Sequence, residues 1–314
     1  MLSRNPKTVT DNCKPQFSGH ETFPLRQLWL AKFARLLRRA EREGQKAPLN
    51  GTDAIVELGV GKNMVASMRF WAKACGIVDA EENLTELGKL VFGGPDTNGI
   101  DPYCASMATV WLLHWNLASK PDAFTPIWYL FNCINQPTLD REGFTKGMAE
   151  LSEENGWRTT ALTLRRAQEC VLRSYLPRMA GKGHTEDFIE PLLAGLNLLE
   201  TTDTRDVFAI PRAARRSLPD EIFVYALLEY WESLPVQSAS IDFTRIAYDF
   251  GAPGRVFKLD PDSIVLRLQR LSELTDSALE WTEQAGLRQI IRRRDALSRP
   301  KSFALEILRK AYKN

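Results

Sequence analysis

The sequence predicts a mainly α-helical protein with small β-ribbons: a winged helix-turn-helix module over residues 1–100, followed by a helical domain over 101–314 in which Leu192–Ile210 reads either as a second winged-helix-like unit or as an ordinary hairpin over helices. Three observations predict it. Apolar residues recur at spacings of three and four in Leu28–Leu37, Met64–Cys75, Ala105–Leu117, Ala161–Leu172, Ile222–Trp231 and Ile264–Leu274. Strand signals are short and paired across polar turns, Ile77–Val78 with Leu84 and Leu198–Thr201 with Val207–Ile210. The run Gly93-Gly94-Pro95-Asp96-Thr97-Asn98-Gly99 continues neither helix nor strand and closes the first module. A second break falls at Gly181–His184, and there is no clean internal repeat.

In chain order, Thr22 is expected to cap a first helix with Pro24 in its opening turn. Thr52 or Asp53 caps a short second helix that Gly59 ends in a left-handed conformation. A third helix from about Lys62 buries Val65, Met68, Ala72 and Cys75, and Gly76 terminates it. Its other side carries Lys62, Asn63, Ser67, Arg69 and Lys73, types that hydrogen-bond base edges or phosphates from the major groove. Ile77 to Leu84 is a hairpin of wing size, made acidic by Asp79, Glu81 and Glu82, and Thr85 caps the helix that follows. Helix, glycine turn, helix and ribbon is the order of a winged helix-turn-helix, a module that reads DNA or docks protein.

The runs Pro102–Ser119 and Ala123–Leu139 are free of charge, but Ser106, His114, Asn116, Pro126 and Asn132 interrupt them, so they read as buried helices and no membrane span is expected. His114 and six tryptophans, at positions 111, 115, 128, 157, 231 and 281, are assigned to the core. Cys13, Cys75, Cys104, Cys133 and Cys170 contain no CxxC pair and read as reduced thiols; with no secretory signal, a cytoplasmic protein is expected.

The net charge of +2 gives no global polyanion-binding signature, but it is unevenly distributed. Residues 1–50 hold 10 basic and 4 acidic side chains and residues 281–314 hold 9 and 3, whereas residues 151–280 hold 15 and 20. Two basic ends bind a polyanion together if the fold unites them; otherwise they read as two solvated termini.

Several chemistries are excluded. Gly59-Val60-Gly61-Lys62-Asn63 ends like a phosphate-binding loop, but Val56 stands where the first glycine is needed and Asn63 where Ser or Thr is needed. None of the fourteen lysines has an acidic residue two positions before it, which removes the common carboxylate-x-lysine nuclease site. The three histidines, His20, His114 and His184, form no zinc-binding spacing with each other or with the cysteines.

The segment Phe17-Ser18-Gly19-His20-Glu21-Thr22-Phe23-Pro24-Leu25-Arg26 places titratable groups between two aromatics, ahead of a helix. There Ser18 and Arg26 could meet a phosphate, His20 could protonate a leaving oxygen and Glu21 could hold a divalent metal such as Mg2+ or Mn2+. Equally, His20 and Glu21 could complete a capping network with Phe17 and Phe23 as hydrophobic staples.

The Phe17–Phe23 motif, AIVELGVGKNMVASMRFWAKACGIV at residues 54–78 and LTELGKLVFGG at 84–94 together resemble an uncharacterised bacterial family, the SspB-type proteins, whose genes lie beside DNA-phosphorothioation genes. The resemblance concentrates in residues 17–94. It implies a DNA-binding component of a phosphorothioation and phage-defence system, acting beside a cysteine desulfurase, an ATPase and a sulfurtransferase resembling PAPS reductases. It also implies nicking that admits the sulfur-modification machinery, with a non-catalytic recognition subunit or a docking scaffold as alternatives.

Overall fold

The computed structural model describes residues 10, 13–49, 51–177, 191–236, 238–284, 286–293 and 300–313. The expected break at Gly181–His184 lies outside them.

The first helix with described bounds is amphipathic α1 (Gln27–Arg42), which buries Trp29, Leu30, Phe33 and Leu37 on one stripe. Its N-cap is Arg26 and no side chain caps it. Thr22 is therefore not the cap: it lies four residues upstream, in a left-handed turn that points the chain elsewhere. α2 (Gly51–Leu58) and α3 (Lys62–Ala74) follow, joined across Gly59, whose φ of 65° is the left-handed value expected. Thr52 and Asp53 fall inside the first turn of α2 rather than before it. The expected hairpin reduces to one bridge, Val78 to Leu84. α4 (Glu86–Phe92) is capped by Thr85, whose hydroxyl accepts from the Gly88 N–H at 3.0 Å. Only glycine fits at 88, since a Cβ there would stand 2.2 Å from the Ile77 carbonyl oxygen.

The rest of the described chain is built from two units of like topology. In the first, α5 (Met107–Ser119) and α6 (Thr125–Asn132) precede β1 (Thr138–Asp140), α7 (Arg141–Glu154), α8 (Ala161–Tyr175), a 3-10 turn (Leu192–Leu196), β2 (Glu200–Thr201) and β3 (Val207–Ala209). In the second, α9 (Asp220–Glu232) precedes β4 (Ser240–Asp242), α10 (Phe243–Tyr248), α11 (Pro253–Val256), α12 (Pro261–Gln269), α13 (Leu271–Leu274), β5 (Leu279–Gln284) and β6 (Leu287–Arg292); α14 (Pro300–Lys310) then packs on α9. Each unit runs helix, strand, helices, hairpin. Each antiparallel sheet puts its last strand in the middle, in the orders β1-β3-β2 and β4-β6-β5. The repeat that the sequence hides is thus topological, carried by elements of unequal length.

The units share one core. His114 of α5 is fully buried, its Nδ1 2.8 Å from the Tyr175 hydroxyl of α8 and its Nε2 3.0 Å from the Val256 carbonyl oxygen of α11. Burial pushes its pKa down to about 3, so the ring is neutral. Lys258 and Arg255 reach back between units, Nζ donating to the Ile134 carbonyl at 3.0 Å and the guanidinium to Asn135 Oδ1 at 2.8 Å. Trp111, Trp115, Trp128 and Trp231 are buried as expected, whereas Trp157 and Trp281 are only partly covered. All five cysteines are free thiols. Among the described residues no helix is long and apolar enough to cross a membrane.

Candidate nucleic-acid interface

Residues 17–23 form a tight turn clasped between α3 and α8. Its backbone is left-handed at Gly19 (φ 103°), Glu21 (φ 48°) and Thr22 (φ 64°). Two successive non-glycine residues in that region are strained and hold there only when surrounding contacts over-determine them. Those contacts come from three sides. The Thr22 N–H donates to His20 Nδ1 at 3.0 Å, and the Phe23 N–H donates to the His20 carbonyl at 2.9 Å. From α3, the Ser67 hydroxyl donates to the same carbonyl at 2.9 Å and Trp71 Nε1 donates to the Phe23 carbonyl at 3.1 Å. From α8, Arg173 donates to the Thr22 carbonyl at 3.1 Å and the Cys170 thiol to the Phe23 carbonyl at 3.4 Å. Gly19 allows the close approach: a Cβ there would meet the Phe70 ring at 2.9 Å.

His20 is the hub of the turn and faces inward. It is 3% exposed, with ring centroids of Phe70 and Phe124 at 5.9 and 5.3 Å. Burial drives its pKa down to about 4, against a hydrogen bond to the Phe17 backbone that pulls it up. At neutral pH the ring is uncharged, and because Nδ1 accepts from Thr22 its proton sits on Nε2. Ser18, Glu21 and Thr22 are exposed at the tip. Ser18, His20 and Glu21 thus sit in a turn ahead of α1 rather than at its N-terminus, with Glu21 presented to solvent and His20 held behind it.

On α3, Lys62 and Asn63 are exposed at the first turn. Ser67 is fully buried under the turn, so its hydroxyl serves His20 and faces no partner outside the chain. Arg69 and Lys73 both engage Glu82 of the Asp79–Asn83 turn, Lys73 at 3.1 Å. Burial alone would raise the Glu82 carboxyl, but the hydrogen bonds from Arg69 and Lys73 outweigh it and hold the group below its usual range. Arg26 lies over the rings of Phe23 and Trp29, at 5.9 and 5.3 Å. Of the residues expected to meet DNA, Ser18, Lys62 and Asn63 are therefore the most openly presented.

The turn also brings to notice residues that sequence reasoning passed over. α8 follows α7 across Gly156, as α3 follows α2, and its exposed side carries Arg165, Arg166 and Arg173, with Arg158 just ahead. The signal was the cap at Thr160 followed by ALTLRRAQECVLRSY, a helix with three arginines and one carboxylate, Glu169. Among the described residues no three His, Cys, Asp or Glu side chains converge as a metal site.

The model of the family described as "Protein of unknown function (DUF4007)" matches residues 17–312. Two solved structures share the fold, an SspB crystal structure and a magnesium ion-bound SspB crystal structure. Each superposes with a TM-score of 0.81 at 26% sequence identity, covering 98% of this chain and 91% and 90% of the respective SspB chains. No curated protein matches the sequence. The likeness read from residues 17–94 thus extends over nearly the whole chain.

Proposed function

The chain belongs to the DUF4007 family and has the SspB fold, and on that premise we propose that it is a DNA-binding component of a bacterial DNA phosphorothioation and phage-defence system. The observation that carries this is the SspB likeness over 98% of the chain. It is supported by three helix-turn-helix arrangements, α2–α3, α7–α8 and α10–α12, the first followed by the single Val78–Leu84 bridge and the other two by a β-hairpin, which we read as winged helices. A cysteine desulfurase, an ATPase and a PAPS-reductase-like sulfurtransferase are the proposed partners.

The finer reading is that the protein nicks one strand to admit the modification machinery. In it Glu21, exposed at the tip of the strained turn, is the group that meets the DNA. His20 is a positioning residue: neutral and buried, it holds the Thr22 N–H and with it the left-handed backbone that aims Glu21. One of the similar SspB structures is magnesium-bound. Mg2+ commonly takes one or two carboxylates together with waters and substrate phosphates. A lone exposed Glu21 fits that mode, for Mg2+ or Mn2+, better than it fits a closed protein cage. The ion, when bound, would neutralise charge developing on the phosphate.

Supercoiled plasmid incubated with and without Mg2+ or Mn2+ tests both levels. Metal-dependent open circles are expected from the wild type and not from Glu21→Gln, whose melting temperature should match the wild type because Glu21 is exposed. Salt-sensitive binding without open circles would leave a recognition subunit, and neither signal would leave a protein-docking scaffold.

Glu82 supplies an independent check. Its carboxylate neutralises Arg69 and Lys73, and the pairs are partly exposed, so removing it should cost well under about 1 kcal/mol of stability. Glu82→Gln should strengthen duplex binding and steepen the slope of log affinity against log salt by up to about 2, near 0.9 for each phosphate newly met. A salt titration showing unchanged or weaker binding would remove α3 from the interface.

A further inference from the structure

We propose that α8 carries the principal contacts to duplex DNA, through Arg165, Arg166 and Arg173, with Arg158 just ahead of the helix. This rests on the DNA-binding function proposed above and assigns its surface.

Three observations place the contact on α8. First, its cations are unneutralised. Arg69 and Lys73 are spent on Glu82, Arg267 and Arg270 on Asp220, and Arg141 and Arg205 on Asp206. Arg158, Arg165 and Arg166 are exposed and pair with no carboxylate among the described residues, and Arg173 gives one bond to the Thr22 carbonyl while its side chain stays exposed. Glu169, also exposed, is the single opposing charge on the helix.

Second, the spacing suits a groove. Arg166 and Arg173 are seven residues apart within α8, and seven residues of helix advance about 10.5 Å, two turns on one face, with Arg165 beside Arg166. That matches a major groove about 12 Å wide, whose flanking phosphates both lie within reach of long guanidinium side chains.

Third, α8 is open where α3 is covered. The turn at 17–23 lies on Ser67 and Phe70 of α3, covering the middle of that helix on this side, while Lys62 and Lys73 at its ends are exposed. The same turn bonds to α8 through Cys170 and Arg173, near the C-terminal end of the helix. The helix is the second of its helix-turn-helix and is followed by the β2–β3 hairpin, the position of a reading helix in such modules. DNA laid along α8 would thus meet the exposed Glu21 tip at the end of the arginine row.

The test is the salt dependence of binding to a labelled duplex for the wild type, Arg165→Ala/Arg166→Ala, its Arg165→Lys/Arg166→Lys counterpart, and Lys62→Ala/Asn63→Ala. All the changed side chains are exposed, so the variants should melt with the wild type. The arginine-to-alanine pair should flatten the slope by about 2 and remove roughly tenfold of the affinity change between 50 and 200 mM salt. The lysine pair should restore the slope, since lysine still meets a phosphate as a point charge. The α3 pair should change the slope less. If the wild type binds and the alanine pair keeps its slope, α8 is not the interface and the DNA-binding function survives. If the wild type binds no duplex, the proposed function itself falls.

Discussion

His20→Ala is expected to lower the stability of the protein by roughly 3 to 4 kcal/mol, and its melting temperature by several degrees. The imidazole is 3% exposed and packed against Phe70 and Phe124, so truncation opens a cavity like that left by a buried aromatic ring. The Thr22 N–H also loses its acceptor, about 1 kcal/mol more at a backbone held left-handed. His20→Asn separates the two parts, because its amide oxygen can stand where Nδ1 stands and accept from Thr22 while the ring packing is still lost; it should recover about 1 kcal/mol. In the proposed reading, where His20 aims Glu21, nicking should fall in His20→Ala and return partly in His20→Asn. Denaturant melts that place His20→Ala within about 0.5 kcal/mol of the wild type would show that the turn is held without it.

Most of the helical scaffold was legible because it rests on local chemistry. The left-handed glycines at 59 and 76, the Thr85 cap and the apolar stripe of α1 are each decided within a few residues of themselves. The turn at 17–23 was legible as unusual and not as buried. What turns His20 inward is Ser67 and Phe124, 47 and 104 positions further along the sequence, and no local pattern announces them. Strands β4, β5 and β6 were missed for a related reason. β4 is three residues long with only Ile241 buried, and its partner β6 arrives 45 positions later. The arginines of α8 were hidden by averaging: residues 151–280 hold 15 basic and 20 acidic side chains, so the region counts as acidic although one helix face is a row of cations. Charge steers binding through its placement on a face, which a window count does not resolve.

Acid should unfold this protein early, and two histidines are the reason. In the unfolded chain both imidazoles titrate near 6.5, whereas in the folded protein burial holds His20 at about 4 and His114 at about 3. Their contribution to stability is therefore fully present above pH 6.5. As the pH falls below that value the unfolded chain takes up as many as two protons that the native state refuses, and each costs about 1.4 kcal/mol per pH unit until the folded value is reached. From pH 6.5 to pH 4 the sum is on the order of 7 kcal/mol, comparable to the whole stability of a typical domain. The two sites should also differ in consequence. His114 ties α5 to α8 and α11 through Tyr175 and Val256, so its protonation attacks the core shared by the units. His20 governs only the turn, so its protonation releases Glu21 and the bond from Arg173 to Thr22 first. Urea midpoints measured from pH 8 down to pH 4.5 should be flat to about pH 6.5 and then fall steeply at constant m-value. His114→Gln, whose amide can still accept from Tyr175 and donate to Val256, should be less stable at neutral pH yet show about half the acid slope. A midpoint that stays level to pH 5 would mean that the two rings take up protons inside the fold, and the inward-facing, neutral His20 on which the turn depends would have to be given up.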